Sequence, residues 1–506
     1  MEHAASVDAL VAVASRKWGA RTALVDGDVE LSFAELDARV SRLAWALHDL
    51  GIGAGDRLTL CLANGWRWVV AYYATLRAGA VVNPVNAMMT AAEVAHIARH
   101  CGAAAIITTK EKLGELSGSP GAPRHLILVG ESAAALDFDM LLAGEAVSPP
   151  ARTEAPGLCA IVYTSGTTGR PKGAMLSHRA VLSNAVMTAT MHGRSEHDRV
   201  LTALPLPHVY GNVVLNAAIL CGMTLFIHER FSPRAVLDDI ASRRIRLFEG
   251  VPTMYHYLLA EPERDDPDLS SLTRCTVGGQ SMPPARMAEV ERRFGCPLIE
   301  LWGMTELAGL GTTHSYLAKA SHGSIGVSLP GVQLRIDEGV LADSETDRTG
   351  AGELLVRGAI VMDGYYGDPA ATANAIDADG WLRTGDIATI DDEGYVSIVD
   401  RRKDMILTAG YNVYPAEIER VISEHPAVSM VAVGALADEV KGEIAKAYVV
   451  LKDGSFADER SIIEHCRRSL APYKVPRAVQ FVADLPKTST GKITRNELAA
   501  FERSGV

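Results

Sequence analysis

The sequence predicts an α/β protein: a large N-terminal domain of helix-covered parallel sheets carrying a β-rich subdomain, then a small α/β C-terminal domain. Three observations lead there. Short β-branched runs alternate with Ala/Leu-rich amphipathic stretches over most of the chain, the pattern of parallel strands joined by crossover helices. After about Gly350 the texture changes to short strand-like runs separated by Gly-rich or acidic turns. A compact α/β module then runs from about Asp404 to the end. The 506 residues suit about two to four domains, with ample length for a sizeable core.

Taken in order, Met1 to Lys17 carries Glu2 and no basic segment ahead of an apolar stretch, so it does not read as a signal peptide. Arg57 to Leu62 reads as a strand, Trp66 to Arg77 as a helix, Ala80 to Asn83 as a strand, Thr90 to His100 as a helix and Ala104 to Thr108 as a strand. Ser117 to Pro123 is a surface-loop candidate. Leu158 to Val162 is an apolar strand, and the strand–helix rhythm returns from Thr224 through Phe248. Val213 to Ile227 is the most apolar run, but Asn216, Gly222 and Thr224 interrupt it. It is too short to span a bilayer and reads as a buried helix and strand. Further on, Gly352 to Gly358 and Gly394 to Ile406 read as strands, with a hairpin turn at Asp391 to Gly394. A helix at Pro415 to Ser423 and a strand at Met430 to Val433 open the last module. The expected domains are 1–399 and 404–506, with 400–403 as the hinge.

The formal net charge is −12, which argues against non-specific binding to nucleic acid or anionic membranes, since both need clustered Lys/Arg. The excess is uneven: residues 401–506 hold 16 basic and 14 acidic side chains, so the acid surplus lies wholly in the preceding part. The seven cysteines are widely spaced with no C-x-x-C pair, which argues against zinc, iron–sulfur and disulfide frameworks. A reducing, cytoplasmic setting fits them best.

The most informative segment is Tyr163-Thr-Ser-Gly-Thr-Thr-Gly-Arg-Pro-Lys-Gly173, directly after an apolar strand. Thr164, Ser165, Thr167 and Thr168 interleave with Gly166 and Gly169, and Lys172 follows. Glycines let backbone N–H groups approach an anion, hydroxyls add donors and lysine offsets phosphate charge. The spacing is not that of a Walker A loop, because Pro171 stands where its second glycine is required. The plainer alternative is a flexible Ser/Thr/Gly loop.

This segment resembles the phosphate loop of the adenylate-forming superfamily, which includes acyl-CoA synthetases, peptide-synthetase adenylation domains and firefly-type luciferases. Four further segments resemble that superfamily's motifs, in the expected order. They are Leu301-Trp-Gly-Met-Thr-Glu306; Arg383-Thr-Gly-Asp386; Asp400-Arg-Arg-Lys403 with the loop Gly410 to Glu419; and Pro486-Lys-Thr-Ser-Thr-Gly-Lys492.

The resemblance implies an ATP-dependent acid–CoA ligase: acid and ATP give acyl-AMP and pyrophosphate, then CoA gives acyl-CoA and AMP. Lys492, His208, Thr164 and Glu306 are the implied catalytic residues, with Thr164 and Glu306 as oxygen ligands for Mg²⁺. The phosphate loop, Lys172, Gly279, Gln280, Trp302, Gly303, Met304, Thr305, Asp386, Ile398, Arg401 and Lys492 would bind ATP and AMP. A flat Trp302 face suits adenine, a carboxylate at Asp386 suits vicinal ribose hydroxyls, and an ammonium at Lys492 offsets charge at the α-phosphoryl group. His208, Tyr210, Val214, Gly278, Gly279, Leu301 and Gly303 line the implied acyl pocket. Lys403 is the implied hinge of a mobile C-terminal domain, whose rotation would bring Ala409, Gly410 and Tyr411 to the CoA channel. Lys492 also lies in a segment resembling one that protein acetyltransferases modify. A homodimer is a further expectation.

The chain departs from the family pattern where Gln280-Ser281 replaces a common Ala-Pro, and where Leu301 replaces a frequent glycine. Glu249 is an unexpected charge in an apolar strand. Pro207-His208-Val209-Tyr210 lacks the aspartate that amino-acid-activating relatives use for the substrate's ammonium group. The mostly apolar pocket positions point to a medium- or long-chain aliphatic acid. The alternatives are an aryl or dicarboxylic acid, an acyl-AMP ligase with a carrier-protein acceptor, or a non-catalytic nucleotide-binding scaffold.

Overall fold

The alternation of strand and helix resolves into two large sheets. A computed structural model describes residues 6–115, 122–130, 135–144, 157–164, 171–262, 267–318, 321–341, 350–401, 404, 406–408, 411–438, 442–470, 472, 474–488 and 492–498. Among the described residues, one sheet has eight strands. Arg57–Leu60, Val81–Pro84, Ala105–Thr109 and His125–Val129 run parallel in it. Leu158–Thr164 lies parallel to Val81–Pro84, and Lys172–Ser177 then folds back antiparallel beside it. The other sheet, of nine strands, is built around Arg199–Thr202, Thr224–Ile227, Leu247–Gly250, Arg274–Gly278 and Leu298–Met304, all parallel.

Local chemistry explains where the helices begin and what they bury. Ser32 and Thr90 start Phe33–Asp49 and Ala91–His100, each closing a capping box with the glutamate three residues on. Val209–Cys221 is apolar almost all round and correspondingly buried. It stops at Gly222, whose φ of +73° suits glycine. Helix Pro415–Ser423 starts on proline and buries Ile418, Val421 and Ile422, one face at helical spacing.

The β-rich part is a four-stranded antiparallel sheet of Gln333–Asp337, Gly352–Arg357, Leu382–Ile390 and Val396–Arg401. Its first strand precedes the change of texture at Gly350. The Asp391–Gly394 turn forms as expected: the Gly394 amide donates to the Asp391 carbonyl at 3.0 Å, and Gly394 has φ +85°. Most of the Ser117–Pro123 loop lies outside the described residues.

One continuous core runs from Val7 to Val396, and a separate one joins Ile406, Val413, Ile418 and Val433 to Cys466 and Val475. The C-terminal module rests on the helices Pro252–Ala260 and Pro284–Phe294. Arg286 Nη2 donates to the Val428 carbonyl at 3.1 Å, and Ser429 Oγ lies 3.3 Å from His256 Nε2. No helix of the described residues is long and apolar enough to cross a membrane.

Candidate active site

Parallel strands present their C-terminal ends together, and the candidate residues gather there. Thr164 ends the strand Leu158–Thr164 and is paired with Lys172 across the hairpin. The turn that joins them, with Ser165, Gly166, Thr167, Thr168 and Gly169, lies outside the described residues. The Lys172 ammonium stands 5.2 Å from the centre of the Tyr365 ring. The Tyr365 hydroxyl donates to Glu306 Oε1 at 2.8 Å. Tyr365 therefore bridges Lys172 and the buried Glu306, a link that no motif in the sequence signals. Burial, then the Glu306 charge, pushes its phenol well up, so it remains a proton donor.

Glu306 is only 7% exposed, in the turn Thr305–Leu307 that follows the strand ending at Met304. Two residues before that end, the Trp302 indole N–H donates to Asp386 Oδ2 at 2.8 Å. The fold thus joins the expected adenine and ribose residues, 84 positions apart, through one hydrogen bond. Arg401 pairs with Asp386 through the backbone register, and half-buried Ile398 lies nearby on the same strand. A side chain at Gly303 would overlap the Gly309 carbonyl, so the tight reversal after Trp302 requires glycine there.

Lys492 reaches this end of the sheet from the C-terminal module. A Cβ placed on Gly279 would lie 3.1 Å from Lys492 Cε and 3.8 Å from Nζ, so the lysine stem lies close against that glycine. Gly279 also has φ +91°, the left-handed region. His208 is the N-cap of Val209–Cys221; its Nδ1 accepts the Tyr210 amide at 3.3 Å. Burial, with the Lys492 charge second, lowers its pKa to about 3, so the ring is neutral at physiological pH.

Below His208, Tyr210 and Val214 are buried, and Leu301 covers Gly278, where a Cβ would overlap Leu301 Cδ1. Glu249 is buried and ion-paired with Arg194 at 2.5 Å, both side chains fully enclosed. Gln280 is half-buried beside Gly279, and Met304 and Thr305 continue the chain toward Glu306. Lys403, Ala409 and Gly410 lie outside the described residues. For Tyr411 and Arg401 only the backbone is described.

Residues 11–366 match the family described as AMP-binding enzyme, and residues 417–492 match the AMP-binding enzyme C-terminal domain. The chain belongs to this adenylate-forming family. A methyl-dioxo-octahydroindenyl-propanoyl:CoA ligase of Mycobacterium tuberculosis is 36% identical, over 98% of this chain and 97% of its own. A long-chain-fatty-acid–CoA ligase of Bacillus subtilis is 33% identical, over 94% of this chain and 91% of its own. The structure of the anthranilate CoA ligase AuaEII with anthranoyl-AMP superposes with a TM-score of 0.91 at 25% identity, covering 100% of this chain and 99% of that one. This adenylate-forming enzyme is accordingly an AMP-forming acid–thiol ligase. ATP and CoA fit its family as co-substrates.

Proposed function

We propose that the protein joins a carboxylic acid to CoA in two half-reactions at this one site. In the first, a carboxylate oxygen attacks the α-phosphorus of ATP and pyrophosphate leaves. In the second, the CoA thiol attacks the acyl carbonyl, its proton passing to solvent, and AMP leaves. The carrying observation is the approach of Lys492 to Gly279 beside neutral His208. Two anions must meet in the first step, and an ammonium held at their junction offsets their repulsion and the charge spreading over the phosphoryl oxygens. A neutral imidazole at His208 adds no further charge and can hydrogen-bond the incoming acid.

Trp302 and Asp386 would hold adenine and ribose, and Lys172 with the Thr164–Gly169 segment the phosphates. Glu306 and Thr164 offer the hard oxygens that suit Mg²⁺, and the strand that begins at Lys172 packs against the Glu306 turn. Mg²⁺ bound there would neutralise phosphate charge. Rotation about Lys403 would exchange Lys492 for the Ala409–Tyr411 segment in the second half-reaction. Acetylation of Lys492 would remove the ammonium and stop the first.

The test is pyrophosphate and AMP release across a broad acid panel, with and without CoA. Release dependent on a suitable acid is expected, with acyl-CoA detected by mass. Lys492→Ala should lose roughly 10²–10³-fold in the adenylation rate, as removal of a transition-state donor does, while ATP binding persists. An acyl-adenylate that accumulates and never transfers to CoA would favour a carrier-protein acceptor. No release with any acid would refute the ligase reading.

A further inference from the structure

Glu249 and its surroundings take no part in the mechanism above, yet they sit directly beneath it. Thr202, Glu249 and Thr276 stand side by side on parallel strands, Thr202 in register with Glu249 and Glu249 with Thr276. Side chains in register on parallel strands share a face, and Gly278, two residues beyond Thr276, shares it too. Leu301 is in register with Gly278. This is the face that Tyr210 covers. Its hydroxyl lies 2.6 Å from Thr276 Oγ1 and 3.3 Å from Glu249 Oε2. Tyr210, Gly278 and Leu301 are the positions assigned to the acyl pocket, so the pocket's far end meets Glu249, Thr276 and the Tyr210 hydroxyl.

That end is charged but balanced. Arg194 Nη2 pairs with Glu249 Oε1 at 2.5 Å, and the Thr276 hydroxyl donates to Glu249 Oε2. Arg194 also donates to His192 Nδ1 at 3.2 Å, and His192 Nε2 lies 2.9 Å from Thr313 Oγ1. The surrounding protein and the Arg194 charge keep His192 neutral, and burial keeps Tyr210 a phenol. Beneath them Arg274 is neutralised by Asp198 at 2.8 Å. Stability alone does not account for such a cluster, because an apolar pair of similar volume commonly does as well or better than a buried ion pair. The cluster is also incompletely satisfied: Arg194 Nε and Nη1 have no hydrogen-bond partner among the described residues. It holds enclosed, unpartnered donors beside carboxylate and phenol oxygens, with no net charge.

We propose that the Tyr210–Thr276–Glu249–Arg194 cluster selects an acid whose compact tail ends in a neutral oxygen substituent, a hydroxyl or a ketone. The inference rests on the ligase reading and names the substrate class of the same site. A hydrocarbon tail would bury these groups without answering them, and a second carboxylate would meet Glu249 while Arg194 is already paired with it. The acid so selected differs from the aliphatic one that the pocket positions led us to expect.

The test compares kcat/KM for pyrophosphate release on matched pairs: para-hydroxyphenylpropanoate against phenylpropanoate, and keto-cyclohexylpropanoate against cyclohexylpropanoate. Octanoate, palmitate and adipate complete the panel. At least one oxygenated acid should exceed its hydrocarbon partner by roughly 100-fold, since sites built to hydrogen-bond a substrate oxygen reject the analogue lacking it. The hydroxyl and keto arms report which group is read. Tyr210→Phe should bring that ratio down at least about tenfold, as expected for one lost buried hydrogen bond; Thr276→Val serves if the first variant does not fold. Replacing Arg194 and Glu249 together by Met should raise octanoate relative to the oxygenated acid. A wild-type enzyme that prefers hydrocarbon acids, octanoate, palmitate or adipate, or a ratio unmoved in both single variants, overturns the proposal while leaving the ligase reading intact. Absence of pyrophosphate release from every acid overturns both.

Discussion

Glu300→Gln should stabilise this protein by an amount that grows with pH. Glu300 lies on the strand Leu298–Met304, on the opposite face from Leu301, and is 4% exposed. Its Oε2 has no hydrogen-bond partner among the described residues, and the Met282 amide gives the charged form only partial support. Burial therefore dominates and raises the carboxyl from 4.5 to about 8. Between those values the unfolded chain has released its proton while the folded protein holds it. Folding must then take up a proton, so stability falls as pH rises, by about 1.4 kcal/mol per pH unit.

Glutamine has nearly the same shape and does not titrate. The stability gap between variant and wild type should therefore widen by roughly 3 kcal/mol from pH 5.5 to 7.5. Urea unfolding at those two pH values, with parallel thermal melts, measures it. Curves that stay parallel, or a variant less stable than wild type at the higher pH, would refute the reasoning. The first result would mean that Glu300 is ionised in the fold, and the second that its proton makes a bond glutamine cannot replace.

Three other outcomes follow from the site. On the proposed role of Glu306 as a Mg²⁺ ligand, Tyr365→Phe, which removes the donor to Glu306, should cost about 10–100-fold in the apparent affinity for Mg·ATP, as loss of a supporting partner of a metal ligand does. Titration of pyrophosphate release against Mg²⁺ reads this, and an unchanged Mg²⁺ dependence would count against it. Gly278→Ala would force a Cβ into Leu301 and should nearly abolish adenylation. Leu301→Ala in the same chain should restore a large part of it, measured as a double-mutant cycle. His208 has a folded pKa of about 3 against an ordinary 6.5. Its contribution to stability is complete above pH 6.5 and declines as pH falls toward 3, because the unfolded chain binds the proton first. His208→Gln should therefore flatten the acid limb of a stability–pH profile, and a limb of unchanged slope would exclude His208 as its source.

Much of the fold was open to reading because strand and helix periods differ and both large sheets are largely parallel. Trp66–Arg77 and Pro415–Ser423 form where the pattern places them. Non-local pairing was hidden: Thr22–Asp26 joins the second sheet beside Thr224–Ile227, with Leu24 opposite Leu225, and no local period reports a partner two hundred residues away. The site divides in the same way. Lys492, Glu306, Trp302 and Asp386 stood out because each lies in a motif. Glu249 stood out only as a charge out of place, and its partner Arg194 not at all, since an arginine after a helix end reads as solvated surface. Tyr365 escaped for a similar reason, sitting in a short strand whose role depends on lying beside Lys172 and Glu306.

The placement of Lys492 carries a consequence for how the two domains meet. Its segment packs with Ala432, Tyr448, Leu485 and Leu498 and shares nothing with the core that runs from Val7 to Val396. The contacts that hold it over the N-terminal domain include Arg286 with the Val428 carbonyl, Ser429 with His256, and Lys487 5.9 Å from the Tyr257 ring. These are polar groups that water can take over at little cost, and among the described residues the apolar contact across the boundary is confined to Tyr414 with Ile387 and Val399 beside the expected hinge. In the proposed two half-reactions, an ammonium delivered through such an interface could be withdrawn once the adenylate has formed, which a lysine fixed in the main core could not be. The net charge of −12 fits the same arrangement. The anionic substrates meet a few local cations, one of them on a separately built domain, instead of a uniformly basic surface that would hold the product as tightly as the substrate.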